Sequence, residues 1–86
     1  MMKTYTIHIT HQEAIRSIIR LCEYDDEIRN YENVMSKNTL IHIIDKEIQK
    51  LRDSYSVYTR YMWESYTSKT IFERVKQEVL FLQMMK

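Results

Sequence analysis

The sequence predicts a mostly α-helical domain: a short N-terminal β-strand followed by three to four helices, with a long heptad-patterned helix packed against a C-terminal helix. Three observations predict it. The chain contains no glycine and no proline, where average usage is about 7% and about 5%. Apolar residues recur at helical spacing along most of its length. Strict alternation of apolar and polar residues occurs only near the start. Glycine supplies the positive φ of primed hairpin turns and of many helix C-caps. A many-stranded sheet is therefore hard to build from this composition, whereas helices joined by Asn, Asp, Ser and Thr turns are easy.

The strand spans about residues 4–10, where Tyr5, Ile7 and Ile9 alternate with Thr4, Thr6, His8 and Thr10. A lone strand leaves backbone groups unpaired and needs a partner: a second copy, another segment or a target. From His11 the period changes. Ala14, Ile15, Ile18, Ile19 and Cys22 form a helical stripe, with Glu13, Arg16 and Arg20 opposite, and predict a helix over about 11–23. Thr10 and Glu13 have the spacing of a capping box. The stripe changes phase at Tyr24-Asp25-Asp26-Glu27. Asp25 or Asp26 is then placed to cap a new helix over about 26–35, with Ile28, Tyr31 and Met35 inward. Ser36 offers the next cap. Ile41, Ile44, Ile48, Leu51, Tyr55, Tyr58 and Met62 then follow 3, 4, 3, 4, 3, 4 spacing, a heptad seam that predicts a helix over about 36–64. Ser65 and Lys69 interrupt the seam. Thr70 and Glu73 form a second capping-box pattern, and Phe72, Val75, Val79 and Leu82 predict a last helix over about 70–84, folded back on the long one. One uninterrupted helix is the other arrangement.

All 86 residues are expected to form one domain. A chain this short buries only about 60–65% of its unfolded surface, and dimerisation is a common remedy, so a homodimer is among the expected partners. The missing glycines exclude a Walker A loop, a dinucleotide-binding fingerprint, a nucleophile elbow and an EF-hand loop. A formal charge of +1, from 13 basic and 12 acidic residues, does not describe a general polyanion binder. One cysteine permits no internal disulfide, which points to a reducing, cytoplasmic setting. The start has no apolar signal-peptide core, and no apolar run approaches the about 20 residues of a membrane span.

Cys22 with His42 or His11 suggests a thiol–imidazole pair, but Cys22 lies on the apolar stripe, where a thiol is usually inert core. His8 and His11 read as H-x-x-H, yet residues three apart on a strand face opposite sides, and zinc needs three or four converging ligands. The acidic stretch Glu23, Asp25, Asp26, Glu27 and Glu32 reads as a solvated turn and not as an acid–base pair. No catalytic, cofactor-binding or metal site is expected. The aromatic-dense run from Tyr55 to Tyr66 is different. Tyr61, Trp63 and Tyr66 cannot all face the seam that Met62 faces, so part of this surface is expected outside the core. Tyr, Trp and Arg dominate interaction hot spots, which makes Tyr61, Trp63, Tyr66 and Arg60 the candidate partner-binding residues.

The run Lys3 to Ile9, then His11 to Cys22, then Ser36-Lys37-Asn38-Thr39-Leu40-Ile41 resembles the ribbon-helix-helix repressors. That resemblance implies strands from two chains entering the DNA major groove, with Thr4, Thr6 and His8 toward the bases, backbone near Ser36 toward phosphate, and Arg16 added to the DNA-contacting set. The outward strand residues include no Arg or Gln, the common readers of base edges. The first expectation is therefore a small cytoplasmic interaction protein that binds a larger protein or complex, with inhibition of it as one option. In composition it resembles accessory proteins of phages and mobile elements. A dimeric DNA-binding transcriptional regulator is the alternative.

Overall fold

The structure, a computed structural model, describes residues 9–52 and 62–85. The predicted strand therefore lies outside the described residues, apart from Ile9 and Thr10, and no strand is present among those described. Thr10 is instead the extended N-cap of helix α1 (His11–Tyr24). Its hydroxyl accepts the Glu13 N–H at 3.1 Å, and the Glu13 carboxylate accepts the Thr10 N–H at 3.2 Å. This is the capping box that the spacing predicts, and it satisfies donors that the first helical turn leaves orphaned. Ala14, Ile18, Ile19 and Cys22 are buried, and Ile15 packs against them half-buried.

The predicted helix over about 26–35 is corrected. Asp25 ends α1 in extended conformation, its N–H bonding the Cys22 carbonyl at 3.3 Å. Its carboxylate then accepts the Glu27 N–H at 2.9 Å. A short polar side chain that binds its own backbone two residues on makes a turn in competition with a helix. The chain continues through turns and a single 3-10 turn, Tyr31–Asn33. Ile28, Tyr31 and Met35 are nonetheless buried. The apolar pattern marked core positions here without marking a helix.

Helix α2 (Lys37–Arg52) starts where Ser36 caps it, the hydroxyl accepting the Thr39 N–H at 3.2 Å. The described part of the predicted long helix ends at Arg52; Tyr55 and Tyr58 of the seam lie outside the described residues. Chain described again from Met62 is already helical and passes through a π turn, Trp63–Thr67, in which the Ser68 N–H bonds the Trp63 carbonyl. Helix α3 (Ser68–Met84) continues from it. The expected cap at Thr70 does not form, because that residue sits inside continuous helix and its hydroxyl donates to the Tyr66 carbonyl at 3.1 Å.

Each of the three helices packs against the other two around one core. Since α3 packs against α2, residues 36–84 are not one uninterrupted helix. Two contacts set the direction of α3 along α1. Trp63 meets Ser17 near one end, and Lys76 meets Asp25 at the other, so the two helices run the same way.

The core residues repeat at intervals of four: Ala14, Ile18 and Cys22 on α1; Leu40, Ile44 and Ile48 on α2; Ile71, Val75 and Val79 on α3. Rows at i, i+4 favour steep crossings of about 50°, in contrast to the about 20° of a coiled-coil seam. On α2 the seam positions Ile41, Ile44, Ile48 and Leu51 all lie in or against that core. Leu40, off the seam, is fully buried, while Ile41 and Leu51, on it, are only half-buried. Replacing Ile48 by Ala should accordingly cost about 2–5 kcal/mol, and Leu51→Ala clearly less. Urea unfolding of both variants checks this, and equal losses would favour the heptad seam over the row through Leu40.

Candidate functional site

The aromatic candidates separate. Trp63 is 2% exposed, so its expected place on a binding surface is corrected: the ring belongs to the core. Its indole N–H donates to the Ser17 hydroxyl at 3.1 Å, which removes the cost of burying an unpaired donor. The π turn brings Trp63 inward while its neighbour Glu64 stays exposed. Tyr66 is exposed, as expected. Tyr61 and Arg60 lie outside the described residues, as do Thr4, Thr6 and His8 of the DNA-contacting set; Arg16 is exposed on α1.

Cys22 is held in packing and His11 in an ion pair. Cys22 is fully buried, and burial, reinforced by Asp25 and Glu23, pushes its thiol up to about 12. A thiol that stays protonated at neutral pH is a poor nucleophile. His42 is exposed on α2. His11 is half-buried and meets the Asp45 carboxylate through Nε2, tying the start of α1 to the middle of α2. Among the described residues no group of three or more His, Cys, Asp and Glu side chains is placed to hold a metal ion. No helix among them is long and apolar enough to cross a membrane.

Part of the acidic stretch has a structural role that the sequence did not reveal. Lys76 Nζ lies 3.1 Å from the Asp25 carboxylate and 3.0 Å from that of Glu27. Asp26 pairs locally with Arg29 at 3.5 Å. Burial acts to raise the Asp25 carboxyl, but hydrogen bonds from Lys76 and the Glu27 N–H, with the lysine charge, hold it below the ordinary carboxylate value. Hydrogen bonds to Glu27 and Asp25 raise Lys76.

Two surface features stand out. At the end of α3, Phe81, Met84 and Met85 are 56%, 84% and 70% exposed. Positions i, i+3 and i+4 are neighbours on one helical face. The signal for this patch was present in the run Val79-Leu80-Phe81-Leu82, because four consecutive helical residues cannot all face one core. The second feature is an open groove of about 320 Å³ between α1 and the π turn. Glu13, Arg16, Ser17 and Arg20 of α1 line it with Trp63 and Glu64 of the π turn and with Ile9.

Comparison with protein-family models, curated proteins and solved structures found no match to this chain.

Replacing Trp63 by Ala should cost about 3–5 kcal/mol of stability. Trp63→Phe should retain most of the packing and lose about 1 kcal/mol with the Ser17 hydrogen bond. Denaturant unfolding distinguishes these outcomes, and a Trp63→Ala protein as stable as wild type would place the ring outside the core.

The Asp25–Lys76 pair should also give stability a defined pH dependence. The lowered carboxyl contributes stability that is complete above the ordinary carboxylate value and is lost as pH falls through the lower folded value. The raised lysine contributes stability that is complete below the ordinary lysine value and is lost as pH rises through the higher folded value. The stability difference between wild type and Lys76→Gln should therefore be constant from about pH 5 to about pH 9 and shrink at both extremes. A difference of the same size at pH 2 would show that the lysine acts by packing alone.

Proposed function

We propose that the protein is a small cytoplasmic interaction module that binds a larger protein or complex through the exposed end of α3, with inhibition of that partner as the expected consequence. The supporting observation is the shared exposure of Phe81, Met84 and Met85. Contiguous exposed apolar side chains mark interaction sites more often than chance surface. Methionine suits such a face because its unbranched, polarizable side chain adapts to the shape it meets. Tyr66 is the one described residue of the aromatic set that remains available at a surface.

The test is capture of the partner from the native host, its identification by mass spectrometry and reconstitution with the purified partner. The variant Phe81→Ser/Met84→Ser/Met85→Ser should melt close to wild type, since none of these side chains is in the core. It should bind the purified partner at least about tenfold more weakly, or about 1.4 kcal/mol. Binding as tight as wild type would remove this face from the proposal. A wild-type dimer that the variant abolishes, with no other partner captured, would make a second copy the occupant. Salt-sensitive, sequence-selective DNA binding that this variant retains would promote the regulator reading, for which the exposed Arg16 is the described contact.

A further inference from the structure

Arg16 and Arg20 lie one helical turn apart on α1 and both line the groove with Trp63 and Glu64. Like charges at i, i+4 repel, and proteins commonly relieve such a pair with a carboxylate. Among the described residues neither guanidinium has one. Glu13 is the nearest acid in sequence, but its carboxylate accepts the Thr10 N–H in the capping box. Glu64, which also lines the groove, forms no ion pair with either arginine. Ser17 lies between them, its oxygen accepting from Trp63, and its own hydroxyl proton can be donated.

We infer that this groove is a subsite for an acidic peptide segment, in which Arg16 and Arg20 take the carboxylates of Asp or Glu side chains. The inference rests on the protein-binding reading and adds the chemistry of the partner. A guanidinium presents a planar fork of donors that matches a carboxylate bidentately. Two such forks one turn apart suit two carboxylates on one short segment. Ile9 supplies apolar wall for the methylenes that carry them. A nucleic-acid backbone fits less well. It needs a continuous positive track, and here Glu13 and Glu64 share the groove with the arginines.

Glu64 gives the inference a sign that a structural role would not give. As a negative charge lining the site, it opposes an acidic ligand, so removing its charge should strengthen binding. The experiment is a titration of the isotope-labelled full chain followed by nuclear magnetic resonance. Trp63 is the only tryptophan, so a single indole signal reports on the groove. The probes are an oligoglutamate peptide, an oligolysine peptide and inorganic phosphate. Oligoglutamate should shift the indole signal saturably, and the other two should not. Arg16→Gln and Arg20→Gln should each weaken binding about tenfold, the order expected on losing one charge-assisted partner. Glu64→Gln should tighten it. All three positions are exposed, so the variants should keep the wild-type circular dichroism.

Absence of saturation, an equal response to phosphate, or indifference to Arg16→Gln and Arg20→Gln would overturn the inference. The titration uses no native partner, so the two readings fail separately. A captured partner with a groove blind to oligoglutamate defeats the subsite alone. A saturable, arginine-dependent titration in a chain that captures no protein leaves the groove chemistry standing and defeats the interaction-module reading.

Discussion

Trp63, Thr67, Ile71, Val75 and Val79 are buried, each four residues from the last, and the packing of the molecule depends on keeping them in line. An α-helix advances about 100° per residue, so a row at intervals of four drifts about 40° at each step. Over four steps the drift is about 160°, enough to carry Trp63 to the far side of the helix from Val79. The π turn takes out part of it. Its i→i+5 bonding holds more residues per turn, so Trp63 and Thr67 stay above Ile71. Thr67 is buried in this row with its hydroxyl lacking a hydrogen-bond partner among the described residues. Trp63 then reaches Ser17 and fixes α3 along α1.

The same economy governs the connection between α1 and α2. No described residue has positive φ, so no turn among them uses the conformation that glycine makes easy. Asp25 and Ser36 do the work with side chains. Asp25 accepts a backbone N–H just after α1, and Ser36 accepts one at the start of α2. Asp25 also receives Lys76 from α3. One carboxylate thus closes a turn and anchors a second helix, and a cluster that reads as solvated surface in the sequence is partly structural.

The parts of this fold that were legible in the sequence are those decided locally. The capping box at Thr10 and Glu13, the cap at Ser36 and the stripe of α1 all follow from spacing and side-chain chemistry within one element. The parts that were not legible depend on contacts between elements. Intervals of three and four describe the residues from Ile41 to Met62 well, yet the neighbouring helices select the row through Leu40. A π turn has no sequence signature of its own, so the interruption at Ser65 and Lys69 read as a break and not as a shift of phase. The position of Trp63 follows from that shift. Of the candidate site, only Tyr66 and Arg16 are exposed among the described residues; the groove that Arg16 and Arg20 line together with Trp63 and Glu64 needed the packing to be seen.

The surfaces available for function follow from the rows that build the core. Relative to Val79, the positions of Phe81, Met84 and Met85 lie about 140–240° around the helix, so a core centred on Val75 and Val79 leaves all three outside. Relative to Ile18, Arg16 and Arg20 lie about 160–200° around α1, and the same argument puts both guanidiniums in solvent. The apolar patch and the charged groove are therefore separated along α3, one near Met85 and the other beside Trp63. A partner that used both would have to follow α3 from its π turn to its end, about 30 Å of helix at 1.5 Å per residue. That length suits an extended or helical segment of another protein better than a small molecule.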